Sequence, residues 1–385
     1  MRVCLIYDCL FPYTVGGAER TYRSLAELLA ADGHDVTYVT LRQWERGERA
    51  DVPGVRVVTA GPRMPLYSSP GRRRVLPPIV FGLGVLWHLL RHGRSYEAVH
   101  CASFPYFSLL AAAAARPLGR YRLVVDWHEV WTQGYWREYL GPLAGRVGWL
   151  VQRVCARLPQ RAFCFSRLHA QRLRDEGFRG EVTILPGEWS GTLEPSPVRT
   201  ADPLVVFAGR HIPEKRVLTI PPAIAAARAD LPELRGVILG DGPDRAELLR
   251  ELERLGLGEV IEAPGFVDGS RVDQEIARAL CMLLPSRREG YGLVVLEASA
   301  HGTPSVVVKD PDNAAVELIE EGENGFIVKS ASPEDLAAAI LRVHAGGSAL
   351  RAATASWFAR NAERHSLRRT LEIQVEAYGH ALDRA

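Results

Sequence analysis

Lysine is nearly missing from this chain. Only Lys215, Lys309 and Lys329 occur among 385 residues, and the rest of the 47 basic side chains are arginines. Such a bias reads as a genome-composition effect, and it makes each remaining lysine more informative. Long apolar runs are missing too. The longest, Ile79 to Leu90, has twelve residues with two glycines and a histidine among them, too short and too broken for a membrane span. The apolar start, Val3 to Tyr7, is a short strand that meets Asp8, so no signal peptide is expected. Six cysteines (Cys4, Cys9, Cys101, Cys155, Cys164, Cys281) are scattered and never form CxxC. That excludes a zinc framework and fits the reduced thiols of a cytoplasmic protein. No GxGxxG loop is present, which disfavours a nicotinamide-dependent oxidoreductase. Tandem repeats and low-complexity tracts are absent.

What remains is the composition of a soluble globular enzyme, 47% hydrophobic and 24% charged. The length favours two domains. A net charge of +2 hides an asymmetry. Residues 1–190 carry 25 arginines and no lysine against 16 carboxylates, whereas residues 191–385 carry 22 basic side chains against 29 carboxylates. The halves differ in character, which supports a boundary near residue 190. In both halves short apolar runs alternate with helical patterns, the signature of parallel, doubly wound α/β sheets. Residues 186–203 break that rhythm with four prolines and no periodicity, so they read as a linker.

The most telling stretch is LLPSRREGYGLVVLEASAHGTPSVVV. It reads strand–loop–helix–strand, with Glu289 in the loop and Glu297 one to two turns into the helix. A strand-to-helix loop aims free backbone N–H groups and the positive helix end at one point, which suits a phosphate. Carboxylates on either side can accept hydrogen bonds from sugar hydroxyls. Phosphate flanked by hydroxyl acceptors outlines a nucleotide-sugar site.

This stretch resembles the signature of family 4 retaining glycosyltransferases. The resemblance implies the GT-B fold, two Rossmann-like doubly wound domains facing across a cleft. On that pattern residues 1–187 form an acceptor-side domain, 188–202 a linker and 203–364 the nucleotide-sugar-binding domain. A last helix over about 365–385 crosses back to the first domain. The resemblance places Glu289 at the donor sugar and Glu297 at the ribose. Ser286, Gly290, Tyr291, Gly292 and Leu293 complete the donor loop. In VFAGRHIPEKR the matching Arg210 and Lys215 neutralise the diphosphate, while His211 and Arg216 read as surface residues. Gly240 of GDGP lies near the nucleotide, and Phe266 and Val267 of APGFVDG edge the base. In the first half, Gly16 and Gly17 of FPYTVGGAER lie near the diphosphate, with Glu19 and Arg20 structural. His128 of VVDWHEVW matches a histidine beside the reaction centre.

Around His128 the aromatics are dense. Trp127, Trp131, Tyr135 and Trp136 offer stacking faces for an acceptor or, equally, form an aromatic mini-core. The triplet Asp310-Pro311-Asp312 lies between a strand and a helix that Asp312 or Asn313 can cap, so it reads as a capped turn. Neither a metal nor a cofactor is expected. Arg72, Arg73 and Arg74, with Arg91 and Arg94 flanking an apolar helix, form either a solvated basic surface or a face for a membrane. No nucleic-acid partner is expected. One departure from the family pattern stands out: Pro186-Gly187-Glu188-Trp189 replaces an asparagine–glycine pair before the hinge. A sugar-nucleotide epimerase and a non-catalytic nucleotide-sugar-binding protein are the competing readings.

Overall fold

Parallel strands buried on both faces organise the chain, as near-continuous apolar runs such as Val3–Ile6 and Met282–Leu284 require. The structure is a computed structural model that describes residues 1–66, 73–197 and 199–379. It forms two units, residues 1–190 together with the segment from His365 on, and Gly191–Arg364. The proline-rich segment is thus divided. Residues up to Ser190 belong with the first unit and those from Gly191 with the second, Val198 lying outside the described residues.

Among the described residues the first unit has seven strands: β1 (Arg2–Ile6), β2 (Asp35–Thr40), β3 (Val55–Thr59), β4 (Ala98–Ala102), β5 (Arg122–Trp127), β6 (Arg161–Cys164) and β7 (Val182–Ile184). They pair in the order β3-β2-β1-β4-β5-β6-β7, all parallel. The chain winds outward from β1 in one direction and from β4 in the other, so the topological switch point lies between them. Its helices are α1 (Gly17–Ala31), α2 (Leu76–His92), α3 (Tyr106–Gly119), α4 (Gln133–Leu140), α5 (Pro142–Arg157) and α6 (Arg167–Asp175). Right-handed crossovers put α1 on one face of the sheet and α2, α3 and α5 on the other. Accordingly α2 packs on α3 and α3 on α5, whereas α1 packs on the final helix. The short α4 escapes sequence reading. Thr132 caps it by accepting from Tyr135 N, and Gly141 ends it one residue before α5 begins at Pro142.

The second unit repeats the scheme with β8 (Leu204–Ala208), β9 (Arg235–Leu239), β10 (Ile261–Gly265), β11 (Cys281–Leu284), β13 (Ser305–Val308) and β15 (Gly325–Val328). Their order, β10-β9-β8-β11-β13-β15, sets the switch point between β8 and β11. A separate pair, β12 (Arg288–Glu289) with β14 (Asp312–Asn313), joins two loops. Helices α7 (Ile220–Ala227), α8 (Arg245–Arg254), α9 (Gly269–Arg278), α10 (Leu293–Ala300) and α11 (Pro333–Asn361) cover the sheet. Two segments of this unit take the tighter 3-10 form. The turn after β8 is 3-10 at Pro213–Lys215 and Val217–Thr219 before α7 starts, and residues 314–318 are 3-10 as well. Gly347, at φ 49°, kinks α11 and divides it into two helical pieces.

The last helix, α12 (Leu367–Gly379), returns to the first unit, with residues 380–385 outside the described residues. Leu367, Thr370, Leu371, Gln374 and Tyr378 form its buried stripe. Its anchor is polar. Tyr378 Oη lies 2.6 Å from His100 Nδ1, and His100 Nε2 lies 2.8 Å from Asp126 Oδ1. Tyr22 on α1 donates to Asp126 Oδ2 at 2.9 Å. Burial opposes the Asp126 charge, but His100 and Tyr22 outweigh it and hold the carboxyl below the usual range. All four side chains are buried. Removing the Tyr378 hydroxyl leaves a buried ring nitrogen of His100 unsatisfied, which costs about 1–3 kcal/mol. Tyr378→Phe is therefore expected to lower the unfolding free energy by about that amount in denaturant titration. An unchanged midpoint would show that the hydroxyl contributes nothing to docking α12.

Candidate functional site

In the second unit the polar side chains singled out in the sequence gather at the carboxyl ends of β8, β9, β10 and β11, on both sides of the switch point. Arg210 follows β8 and is exposed. Lys215 stands at the end of the 3-10 turn, and its Nζ lies 2.5 Å from Glu289 Oε1. Backbone fixes this approach, since Arg287 N donates to Glu214 O at 2.8 Å. Glu289 is only 8% exposed, so an unpaired charge there would be costly and the lysine offsets it.

Ser286 is fully buried, and its Oγ has no hydrogen-bond partner among the described residues. Gly290 is half-buried and Tyr291 buried. Gly292 precedes α10 at φ 99°, and a Cβ there would lie 2.5 Å from that of Ala315. Both the left-handed backbone and the close approach demand glycine. Leu293 opens α10, and Glu297 stands on its second turn, half-buried. Gly240 follows β9 and its N–H donates to Gly265 O at 2.9 Å. Phe266 is 68% exposed, while the neighbouring Val267 packs against the core.

Three residues of this unit do more than the sequence suggested. Asn313 is buried, and its Nδ2 donates to Ser286 O and Val308 O while its Oδ1 caps Ala315 N. It ties the Glu289 loop to the loop after β13. Arg216, read as a surface charge, pairs with Asp310 at 3.0 Å. That engages the first aspartate of the Asp310-Pro311-Asp312 triplet with a cation, and the turn is capped by Asn313. Among the described residues no three His, Cys, Asp or Glu side chains gather as metal ligands. His211, also read as a surface residue, is buried beneath the β8 end, and desolvation holds its pKa below the ordinary histidine value. The apolar run of β8 ends before it, so periodicity carries no signal for that burial.

In the first unit His128 follows β5 and is 24% exposed. Its ring stacks on Phe165 with centroids 4.5 Å apart, and Nε2 lies 3.4 Å from Glu188 Oε1. Burial opposes a charge on His128, but Glu188, Asp126 and Glu129 together raise its pKa above the ordinary value. Glu188 is itself buried and held by the returning chain. His365 Nδ1 lies 2.6 Å from Pro186 O, Trp189 N donates to His365 O, and Leu367 N donates to Trp189 O. A Cβ on Gly187 would run into the carbonyl of His365, so only glycine fits. The segment that departs from the family pattern therefore delivers a carboxylate to His128.

At the switch point of this sheet Asp8 follows β1, fully buried. Arg73 pairs with it, and the guanidinium also lies 5.0 Å from the Phe104 ring centroid. Arg73 thus points inward and belongs to neither a solvated surface nor a membrane face; Arg72 lies outside the described residues. Gly16 and Gly17 form the start of α1, where the Glu19 carboxylate folds back against Gly16. Of the two readings of the aromatics after His128 and beside it, stacking faces or a mini-core, burial favours the second. Trp127, Tyr135 and Trp136 are buried, and only Trp131 of the four is half-exposed. Gln152 holds the cluster, its Oε1 accepting from Tyr106 Oη, Trp131 N and Trp136 Nε1. The three buried rings pack into a mini-core and leave no open face for a ligand.

Comparison with known proteins agrees with this fold. The family model described as glycosyl transferase 4-like domain matches residues 16–187, and glycosyl transferases group 1 matches residues 193–357. An exopolysaccharide phosphotransferase of Streptomyces coelicolor is 36% identical over 148 residues, 38% of this chain and 15% of that protein. The alpha-D-kanosaminyltransferase of Streptomyces kanamyceticus is 30% identical over 37% of this chain and 36% of its own length. A D-inositol 3-phosphate glycosyltransferase of Streptomyces avermitilis is 31% identical over 49% of this chain and 44% of its own. The chain thus spans less than half the length of these curated relatives. Among solved structures, sucrose-phosphate synthase of Thermosynechococcus elongatus superposes with TM-score 0.80 at 18% identity over the whole of both chains. HepE of Anabaena, in complex with UDP and glucose, superposes with TM-score 0.72 at 19% identity, covering 98% of this chain and 99% of that one. With both units matched in order along the chain and both sheets wound as described, this chain belongs to the group 1 glycosyltransferases and has the GT-B fold.

Proposed function

We propose that the chain is a retaining glycosyltransferase. It moves a hexose-type sugar from a UDP- or GDP-linked donor to a hydroxyl acceptor, without a bound metal and in the cytoplasm. The observation that carries this reading is the convergence of Arg210, Lys215 and the Glu289 loop at the switch point of the second sheet. Ligands of doubly wound sheets bind at that place.

The chemistry follows from those side chains. The bond from the sugar anomeric carbon to the diphosphate oxygen breaks, and the acceptor oxygen bonds the same carbon on the same face. The acceptor proton passes to the departing phosphate oxygen. No carboxylate in the motifs is an obvious nucleophile, which supports front-face displacement. Negative charge grows on the leaving diphosphate, and Arg210, Lys215 and the amino end of α10 stabilise it. When the donor binds, Lys215 exchanges Glu289 for phosphate, and the freed carboxylate accepts hydroxyls of the donor sugar. Glu297 takes the ribose hydroxyls, and Phe266 and Val267 border the base. The family resemblance assigns His128 to the sugar, and Glu188 holds its ring and its proton. The relatives include a kanosaminyltransferase and a D-inositol 3-phosphate glycosyltransferase, which supports the reaction class.

The direct test is thermal stabilisation by a panel of UDP- and GDP-sugars, followed by product analysis with hydroxyl acceptors. Binding only to the native state raises the melting temperature. A donor-dependent rise, with transfer that persists in EDTA, is expected; loss of all turnover in EDTA would overturn the metal-free mechanism.

Arg210→Ala and Lys215→Ala are each expected to lower kcat by roughly 10²–10³, with smaller effects on acceptor KM, because they act on charge that develops in the transition state. Both act on one leaving group, so the double variant should lose less than the sum. Near wild-type kcat in both single variants would place the diphosphate elsewhere.

Glu188→Gln is expected to lower the His128 pKa, since burial stays and the main favourable charge goes. The raised pKa contributes stability that is complete below about 6.5 and is lost as pH rises through the folded value. In the variant the alkaline limb of activity and of stability should both move to lower pH. Imidazole NMR titration reads the shift directly. An unmoved His128 resonance would mean that the 3.4 Å approach of Glu188 carries no coupling.

A further inference from the structure

At the opposite edge of the first sheet from His128, where β5 and β6 begin, a groove of about 1320 Å³ opens. Arg116, Arg122, Arg157, Arg161 and Arg179 line it, with Glu181 as the carboxylate among them. Arg161 forms two 2.9 Å hydrogen bonds with Glu181, and Arg116 donates to Pro159 O at 2.8 Å. The guanidinium groups of Arg122, Arg157 and Arg179 have no hydrogen bond or ion pair among the described residues. Like charges gathered without partners repel one another, and an anion of matching charge relieves that repulsion. Planar guanidinium forks suit phosphate oxygens in particular.

A second observation adjoins the groove. On α5, Leu143, Val147, Leu150 and Val154 are all exposed. Their spacing of i, i+4, i+7 and i+11 makes one stripe, and it ends one turn before Arg157. Helix α5 contains no aspartate or glutamate, and Arg146 and Arg153 flank the stripe. A free anion uses the groove alone, whereas a phosphate carried on an apolar anchor uses groove and stripe together.

We propose that this groove is a phosphate-binding site, distinct from the donor site, for a ligand that presents two or more phosphate groups. The two sources of that chemistry are a soluble oligophosphate and the headgroups of an anionic lipid surface, and the α5 stripe separates them. The site is independent of the sugar-transfer reading and is tested without any nucleotide-sugar.

The full chain would be titrated calorimetrically with inorganic tripolyphosphate and, separately, sedimented with phosphatidylcholine vesicles containing or lacking phosphatidic acid. Binding in at least one anionic arm is expected, falling with added salt. The triple variant Arg122→Gln, Arg157→Gln, Arg179→Gln should weaken it at least about tenfold, because charge-assisted contacts are the strong ones. The single exposed change Arg179→Glu should weaken it too and guards against a misfolded triple variant. If Leu150→Ser with Val154→Ser reduces vesicle binding but not tripolyphosphate binding, the source is lipid; if only tripolyphosphate binds, the source is soluble. No binding in either arm, or wild-type affinity in both Arg179→Glu and the triple variant, would overturn the proposal.

Discussion

A parallel strand covered by helices on both sides has no place for a charge along its length. Every side chain of β4 and β11 is buried, and an uncompensated ion at such a position would cost several kcal/mol. Polar chemistry is therefore driven to strand ends. It concentrates at the carboxyl ends beside the switch point, where the loops diverge in opposite directions and leave room for a ligand. Asp8, His128, Arg210 and Glu289 all follow the carboxyl ends of strands. Each sheet's polar cluster is a consequence of this constraint before it is a consequence of any particular residue.

The same constraint explains why the exceptions are networks. His100 and Asp126 lie within β4 and β5, fully buried, and are tolerated because Tyr22 and Tyr378 complete their partners. An apolar stripe alone would let α12 slide along its contact with α1. The hydroxyl of Tyr378 has one partner to meet and so fixes the register. This tie matters for the candidate site, because the chain just before α12 is what holds Gly187 and Glu188 in place. Docking of the last helix and delivery of Glu188 to His128 are one event.

The strands are legible in the sequence because a doubly covered strand must be apolar nearly throughout, as in Ser305–Val308 and Cys281–Leu284. The Glu289 loop is legible because strand, glycine-bearing turn and helix follow one another without interruption. What escapes reading depends on pairing over long range. Arg73 with Asp8, Arg216 with Asp310 and Glu188 with His128 join residues separated by entire elements. Nothing in local pattern distinguishes those arginines from solvated ones. The aromatics after β5 mislead for a different reason. Trp127 and Trp136 carry the composition of a sugar platform, but Gln160 accepts the Trp127 indole N–H and Gln152, sixteen residues beyond Trp136, accepts that of Trp136, so both rings become core. Helix α4 is hidden because only eight residues separate its cap from Gly141.

Scarcity of lysine bears on how the site can work. Arginine fills nearly every cationic position, including those that pair with Asp8, Asp310 and Glu181. Lys215 is one of three exceptions in the chain, and it is the cation that touches Glu289. A guanidinium binds a carboxylate as a planar fork, and leaving that partner means reorienting the whole plane. An ammonium is a compact charge with three equivalent donors at the end of a flexible stem, and it can trade one oxygen for another by a small rotation. On the proposed mechanism the cation holds Glu289 before the donor arrives and turns to the diphosphate afterwards, and the compact group is the better fit for that exchange. The pairing at 2.5 Å then describes one end of a motion, and the residue type describes why the motion is easy.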